Sequence, residues 1–432
     1  MSKRFSAALL FPRTRARLVV LAVVTLSVIV AACTESFEGG TACPSLCPTK
    51  PNAFRDTTIE AVVLDTSVSG FPSLGLSPTI LIANRPDTLV TRGVIRFDVL
   101  PTVFNANGST TATEITAIDS VYLRLPLDST GRRGTLPITL NVFDVDTVVN
   151  DSVTSVVRGL FRADRRIGSV TFVPSLTGDL LRIPLVASAL LKKISANSRL
   201  RVGLQLTGGS GQLRAVAFVA GIGAPSLSFE PTSDTTINPV TVSPSTSIAD
   251  ATSDLQLAYQ VYGIVDLGSR APDATTLIVG GYPAYRSYLR FALPARITDS
   301  ATIVRAEVLL TQRRSSFGNV SDTVIIVPLV PTSTNVVSDL RRILDLAADG
   351  SFASLDSTRL VPRDSGLRVL NVLSLVRSWP ALSSTVPRAI AFRINNEGAQ
   401  PAELRFFSSE AAASLRPRLR ITYLLRSEFA IP

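Results

Sequence analysis

From position 55 the chain reads as short runs of Val, Ile, Leu, Thr and Phe separated by Gly, Pro, Asn and Asp, at intervals of about ten residues. Within the runs, apolar and polar residues alternate with a period of two. Ile95, Phe97 and Val99 fall on one side of a run and Arg96 and Asp98 on the other, while Leu289, Phe291 and Leu293 are set against Arg290. Such alternation predicts antiparallel strands with one buried and one polar face, packed as sandwiches. It puts Arg96 and Arg290 on outer faces, where pairing with a carboxylate such as Asp98 is worth about 1 kcal/mol or less. A helical period interrupts the strands twice. Val372, Leu375, Val376 and Trp379 fall at i, i+3, i+4 and i+7, with Asn371 placed to cap and Pro380 to stop the helix. Its counterpart is Val186, Ala189, Leu190 and Lys193. The helical spacing of Trp379 makes it a core residue in preference to a sugar-stacking platform.

The pattern also repeats. Asp56-Thr57-Thr58-Ile59 returns as Asp234-Thr235-Thr236-Ile237, and Ile95-Arg96-Phe97 as Leu289-Arg290-Phe291. Leu181-Arg182-Ile183 returns as Leu367-Arg368-Val369, Leu213-Arg214 as Leu404-Arg405, and Pro225 to Phe229 as Pro417 to Ile421. The order is kept at offsets between 178 and 194 residues, the signature of an internal duplication. The predicted fold is all-β: two tandem antiparallel, jelly-roll-like β-sandwiches with short helical insertions, the first over 55–231 and the second over 232–432.

The amino terminus has a different pattern. Lys3, Arg4, Arg13, Arg15 and Arg17 sit in a segment without acids, and Leu18 to Val30 is broken only by Thr25 and Ser27 before Val30-Ala31-Ala32-Cys33. This reads as an export signal over 1–32. The apolar stretch to Ala32 is shorter than the roughly 20 residues of a spanning helix. Residues 33–54 form a tether broken by Gly39-Gly40, Pro44, Pro48 and Pro51. In an oxidising compartment Cys43 and Cys47 are expected to form a local disulfide; a zinc site would need four ligands.

Composition narrows the chemistry. The 432 residues include no His, one Met and three Cys, which excludes Ser-His-Asp and Cys-His nucleophile systems and a histidine zinc site. The net charge of +10 falls to +5 once the five basic residues of the amino terminus are set aside. The remaining arginines are scattered with no basic and aromatic stripe, so no nucleic-acid partner is expected.

Val30-Ala31-Ala32-Cys33 resembles the lipobox of bacterial lipoproteins. That resemblance implies a lipid-modified Cys33 holding the mature chain on the bilayer, and Thr34 in place of Asp implies the outer membrane. The second copy resembles DNRLRE-type domains through Thr276 to Gly280, Arg286 to Phe291, Ala301 to Leu310, Val372 to Trp379, Leu404 to Glu410 and Arg416 to Tyr423. Such domains look like carbohydrate-binding modules of exported bacterial and archaeal proteins. The first copy matches weakly, and Asn84 to Gly93 replaces the tyrosine-rich loop.

Candidate ligand-binding residues are Tyr282, Tyr285 and Arg286, which follow Gly280-Gly281 in that loop. Exposed Tyr beside Arg suits a polysaccharide contact; the alternative is a turn that closes the sandwich edge. No cofactor is expected, and Asp266 and Asp273 are a weak candidate for structural calcium. Thr207 to Gly211 reads as a hairpin turn. Three functions fit, in order: a non-catalytic envelope lipoprotein presenting binding domains for polysaccharide or adhesion, an envelope scaffold that binds other proteins, and a polysaccharide-acting enzyme.

Overall fold

The computed structural model describes residues 54–72, 77–107, 109–147, 154–217, 223–232, 234, 236–246, 260–298, 301–332, 340–345, 347–348 and 356–425. The export signal, Cys33, Cys43 and Cys47 lie outside the described residues. The first strands are β1 (Arg55–Ile59), β2 (Val62–Phe71), β3 (Thr79–Arg85), β4 (Leu89–Phe97), β5 (Val103–Asn105), β6 (Ala112–Glu114) and β7 (Val121–Pro126). They are followed by β8 (Ile138–Asp144), β9 (Arg166–Phe172), β10 (Leu180–Pro184), β11 (Leu200–Thr207), β12 (Gly211–Val216) and β13 (Ser226–Phe229). Next come β14 (Val240–Val242), β15 (Val261–Leu267), β16 (Thr276–Gly280), β17 (Ala284–Phe291), β18 (Ala301–Arg313) and β19 (Val324–Pro331). The last are β20 (Ala347–Ala348), β21 (Thr358–Leu360), β22 (Gly366–Asn371), β23 (Ala389–Ile394), β24 (Glu403–Phe407) and β25 (Arg418–Leu425).

All of the named strand pairs are antiparallel, as the alternation predicts. One sandwich packs the sheet β14-β13-β7-β10 against β12-β3-β4-β11-β8-β9. Its core gathers Leu123, Leu125, Ile183 and Leu227 from the first sheet with Ile82, Phe97, Leu140 and Leu204 from the second. The other sandwich packs β25, β18 and β22 against β16, β17, β23 and β19 over Val308, Leu370, Leu289, Phe392 and Trp379. Its two sheets are continuous where Gln312 and Arg313 of β18 pair Phe406 and Arg405 of β24. The turn at 207–211, expected as a hairpin, instead carries the chain from β11 to β12 with β3 and β4 lying between them in the sheet, and Gly208 takes φ +80 there.

The strands do not follow the boundary expected at 231. β1 ladders onto β25, from Arg55↔Tyr423 to Ile59↔Leu419, and β2 onto β17, from Ala284↔Phe71 to Phe291↔Val62. Conversely β14 pairs β13 of the first copy, and β15 pairs β4 from Val261↔Ile95 to Leu267↔Val90. The exchange is reciprocal: each copy gives its first two strands to the other, so neither 55–231 nor 232–432 contains a whole sandwich. Period-two alternation states which face of a strand is buried and is silent on which neighbour it pairs.

The exchange also moves Arg96. Gln260, just before β15, and Ser245 lie beside the end of β4, with Arg96 N donating to the Gln260 carbonyl (2.8 Å) and Ser245 N donating to the Arg96 carbonyl (2.9 Å). Arg96 is fully buried, not on an open face, and Arg201 lies directly across on β11. Asp98 is buried with them and accepts from Arg201 Nε (3.1 Å) and Nη2 (3.2 Å). Val99, expected inside, lies beyond the end of β4 and is 62% exposed.

One sequence match is out of step. Leu125 of β7 pairs Leu181, and Leu310, its equivalent in β18, pairs Arg368. Leu181 therefore corresponds to Arg368 and Arg182 to Val369, one residue off the match of Leu181-Arg182-Ile183 to Leu367-Arg368-Val369. A slip of one residue reverses the faces, so Leu181 and Ile183 are buried while Leu367 and Val369 are about half exposed.

Candidate functional site

The tyrosine loop is built by glycine. Gly280 and Gly281 lie at φ +86 and +92, which permits the sharp reversal between β16 and β17. Ser269 Oγ accepts from Tyr282 N (3.0 Å), and the loop turns Tyr282 toward the other sandwich. There the ring packs on Leu81, Ala83 and Leu89 and its hydroxyl hydrogen-bonds the Leu81 backbone. Gly263 of β15 makes room, since a Cβ there would sit 2.9 Å from that hydroxyl. Tyr282 is only 6% exposed, and burial pushes its hydroxyl up to about 12.

Tyr285 and Arg286 are equally committed. Tyr285 is buried and bonds the Ser69 side chain of β2. Arg286 forks onto Glu397, Nε to Oε1 at 2.9 Å and Nη2 to Oε2 at 2.7 Å, while Nη1 donates to the Leu344 carbonyl (2.5 Å). Its guanidinium stacks 4.3 Å from the Phe71 ring centroid. The structure thus corrects the sugar-contact reading of Tyr282, Tyr285 and Arg286. Tyr285 and Arg286 hold the exchanged β2 and Tyr282 reaches the first sandwich, with little of either tyrosine exposed.

Asp266 and Asp273, the calcium candidates, are each engaged by neighbouring groups. Asp266 is gripped by Arg92 and Arg158, each at 2.6 Å. Asp273 instead caps the turn before β16, accepting from Thr275 N (3.0 Å) and Thr276 Oγ1 (2.7 Å). Trp379 lies in the core at the end of the helix Leu373–Ser378, as its spacing predicts, with Asn371 Oδ1 accepting from Leu373 N (3.1 Å). Lys193, at the matching position, bonds Asp144 and Asp146 at 3.1 and 3.0 Å.

An open groove of about 630 Å³ lies where the two sandwiches meet, lined by Thr79, Pro126, Asp128, Ser129, Asp179, Arg214 and Asn396 among others. Its polar groups are held in place. Asp128 caps the turn Ser129–Gly131, accepting from Thr130 N (2.8 Å) and Oγ1 (2.7 Å), and pairs Arg214 at 3.2 Å. Partial burial pushes the Asp128 carboxyl up, but the Thr130 donors, Arg214 and Arg132 outweigh it and hold the group below the usual range. Asp179 pairs Arg132 at 2.9 Å. The sequence reading missed this groove. Its one legible trace is the turn signal Asp128-Ser129-Thr130-Gly131; the contribution of Asn396 comes from the other copy and has no local signature.

No protein-family model matches the chain, and no curated protein does. The likeness to DNRLRE-type domains therefore rests on the motifs quoted above. Among solved structures, the VP2 subviral particle of infectious bursal disease virus overlaps at a TM-score of 0.13 and 10% identity, over 87% of this chain and 76% of that one. The T=1 particles derived from the same virus give 0.11 and 11%, over 87% and 74%. At such scores the overlap carries no argument about fold or function.

Proposed function

We propose that the protein is an exported, non-catalytic envelope lipoprotein, held on the outer membrane through Cys33, whose joined β-sandwiches contact polysaccharide. The observation that carries the binding part is the open groove at the seam. Its carboxylates, Asp128 and Asp179, are each fixed by an arginine, so they offer oriented acceptors for hydroxyl groups and are poorly placed to shuttle protons. The likeness of 276–423 to DNRLRE-type domains supports the same reading. The anchor part is supported by the basic, apolar and small-residue order that ends at Cys33. Several acyl chains on one cysteine hold a protein on a bilayer far more firmly than a single chain would.

The test uses the full chain. Radiolabelled palmitate incorporated in cells should be lost in Cys33→Ala, and the purified lipidated protein should bind glycans on an array. Asp179→Ala and Asn396→Ala should weaken that binding at least tenfold. Absence of binding to every acidic and neutral glycan refutes the polysaccharide reading, and unchanged labelling in Cys33→Ala refutes the anchor.

A further inference from the structure

The outward face of the sheet β14-β13-β7-β10 carries side chains that the sandwich does not use. Along β7, Leu123 and Leu125 enter the core while Tyr122 and Arg124 face out. Arg182 of β10 lies directly across from Arg124, and Pro184 across from Tyr122. Directly opposed side chains sit with Cβ atoms about 5 Å apart, a distance at which like charges destabilise a sheet. Tyr122 is 42% exposed, Arg182 is exposed, and no Asp or Glu occupies an outward position on any of the four strands. Neither arginine has a hydrogen-bond or ion-pair partner among the described residues, and Arg124 Nε is buried with its hydrogen-bonding capacity unused.

The duplication supplies the control. In the other copy the equivalents of Arg124 and Arg182 are Leu309 and Val369, and Tyr122 is replaced by Glu307. Glu307 is bound by Arg305 (2.6 Å) and by Arg420, so the charges of that face are paired. The same strand pairing therefore forms with an apolar pair at the two arginine positions, and the fold does not require the guanidiniums.

We infer that the Tyr122, Arg124 and Arg182 face is a binding site for anionic polysaccharide, in which the two guanidiniums clasp a uronate carboxylate and the Tyr122 ring lies against a sugar face. An anion between the arginines removes their mutual repulsion. Guanidinium forks match carboxylates in two-point geometry, and an exposed aromatic ring offers an apolar face to a sugar. The site adjoins the groove, because Pro126, the next outward residue of β7, lines it. This inference rests on the polysaccharide reading above and specifies its acidic class.

The experiment measures affinities of the full-length protein in detergent for polygalacturonate, for neutral dextran and for phosphatidylglycerol vesicles. The expected result is salt-sensitive binding to polygalacturonate, weakened at least tenfold in R124Q/R182Q and at least threefold in Tyr122→Ala, with dextran affinity unchanged. The variant R124L/R182V copies the other sandwich, keeps the fold where the glutamines do not, and should lose the same binding. Polygalacturonate binding that is equal in wild type and the double variants overturns the inference. So does a preference of the arginines for the vesicles. Binding of dextran without polygalacturonate overturns the inference and leaves the general polysaccharide reading intact; binding of neither polymer nor of any arrayed glycan ends both.

Discussion

Cutting the chain at its apparent repeat boundary should yield two pieces that cannot fold. Residues 54–231 retain β3 to β13 but lack β14 and β15, and so lose the buried side chains Val242, Val261, Tyr262 and Ile264. Fully burying an apolar side chain is worth about 1.5–3 kcal/mol, so these four alone contribute about 6–12 kcal/mol. That is comparable to the whole stability of a typical domain, about 5–15 kcal/mol. The loss also strips one edge of β4, which pairs β15 at Thr91, Arg92 and Val94 among others, and exposes unpaired backbone there. Residues 232–432 lose β1 and β2, with Ile59 and Phe71 from two hydrophobic clusters. Each fragment expressed alone should aggregate or show no cooperative melt by circular dichroism. Expressed together they should co-purify as a 1:1 complex that melts as one unit. A monomeric 54–231 fragment with a cooperative transition close to that of the intact protein would refute the reciprocal exchange.

Three further outcomes follow from single side chains. Asp98→Asn removes the carboxylate that faces buried Arg201, and should cost about 3–5 kcal/mol in urea unfolding, because a buried cation is left uncompensated; a loss below about 1 kcal/mol would show that water reaches the pair. Burial raises the Tyr282 hydroxyl from 10.0 to about 12, so the unfolded chain gives up this proton first. Its contribution, at most about 2.7 kcal/mol, is intact below about pH 10 and lost as pH climbs to about 12; the slope of stability against pH in that window should flatten in Tyr282→Phe. Arg286→Ala should lower the melting temperature by breaking the fork to Glu397, at a cost of about 3 kcal/mol, and leave glycan affinity unchanged; a glycan-specific loss with normal stability would restore this residue to a ligand role.

The legible part of the site was small, for a definite reason. Tyr282, Tyr285 and Arg286 have the composition of a ligand loop, and residue type cannot distinguish an exposed ring from one that pins two bodies together. The groove draws Asp128 and Asp179 from one copy and Asn396 from the other. The arginine face was hidden by the one-residue slip that matched Arg182 to Arg368 when its true counterpart is Val369.

The sequence by itself determined what local physics controls. Period two set the strands and the inward sides of Ile95, Phe97, Leu289 and Phe291; helical spacing put Trp379 in the core; glycine allowed the turn at 280–281; and motifs recur in a fixed order along the chain. Only the tertiary structure decided which copy β1, β2, β14 and β15 join, and with that the burial of Arg96, Tyr282 and Arg286. Alternation encodes the face a strand presents, and backbone hydrogen bonds are alike along every edge. The choice of partner is made by long-range packing, which no short window of sequence contains.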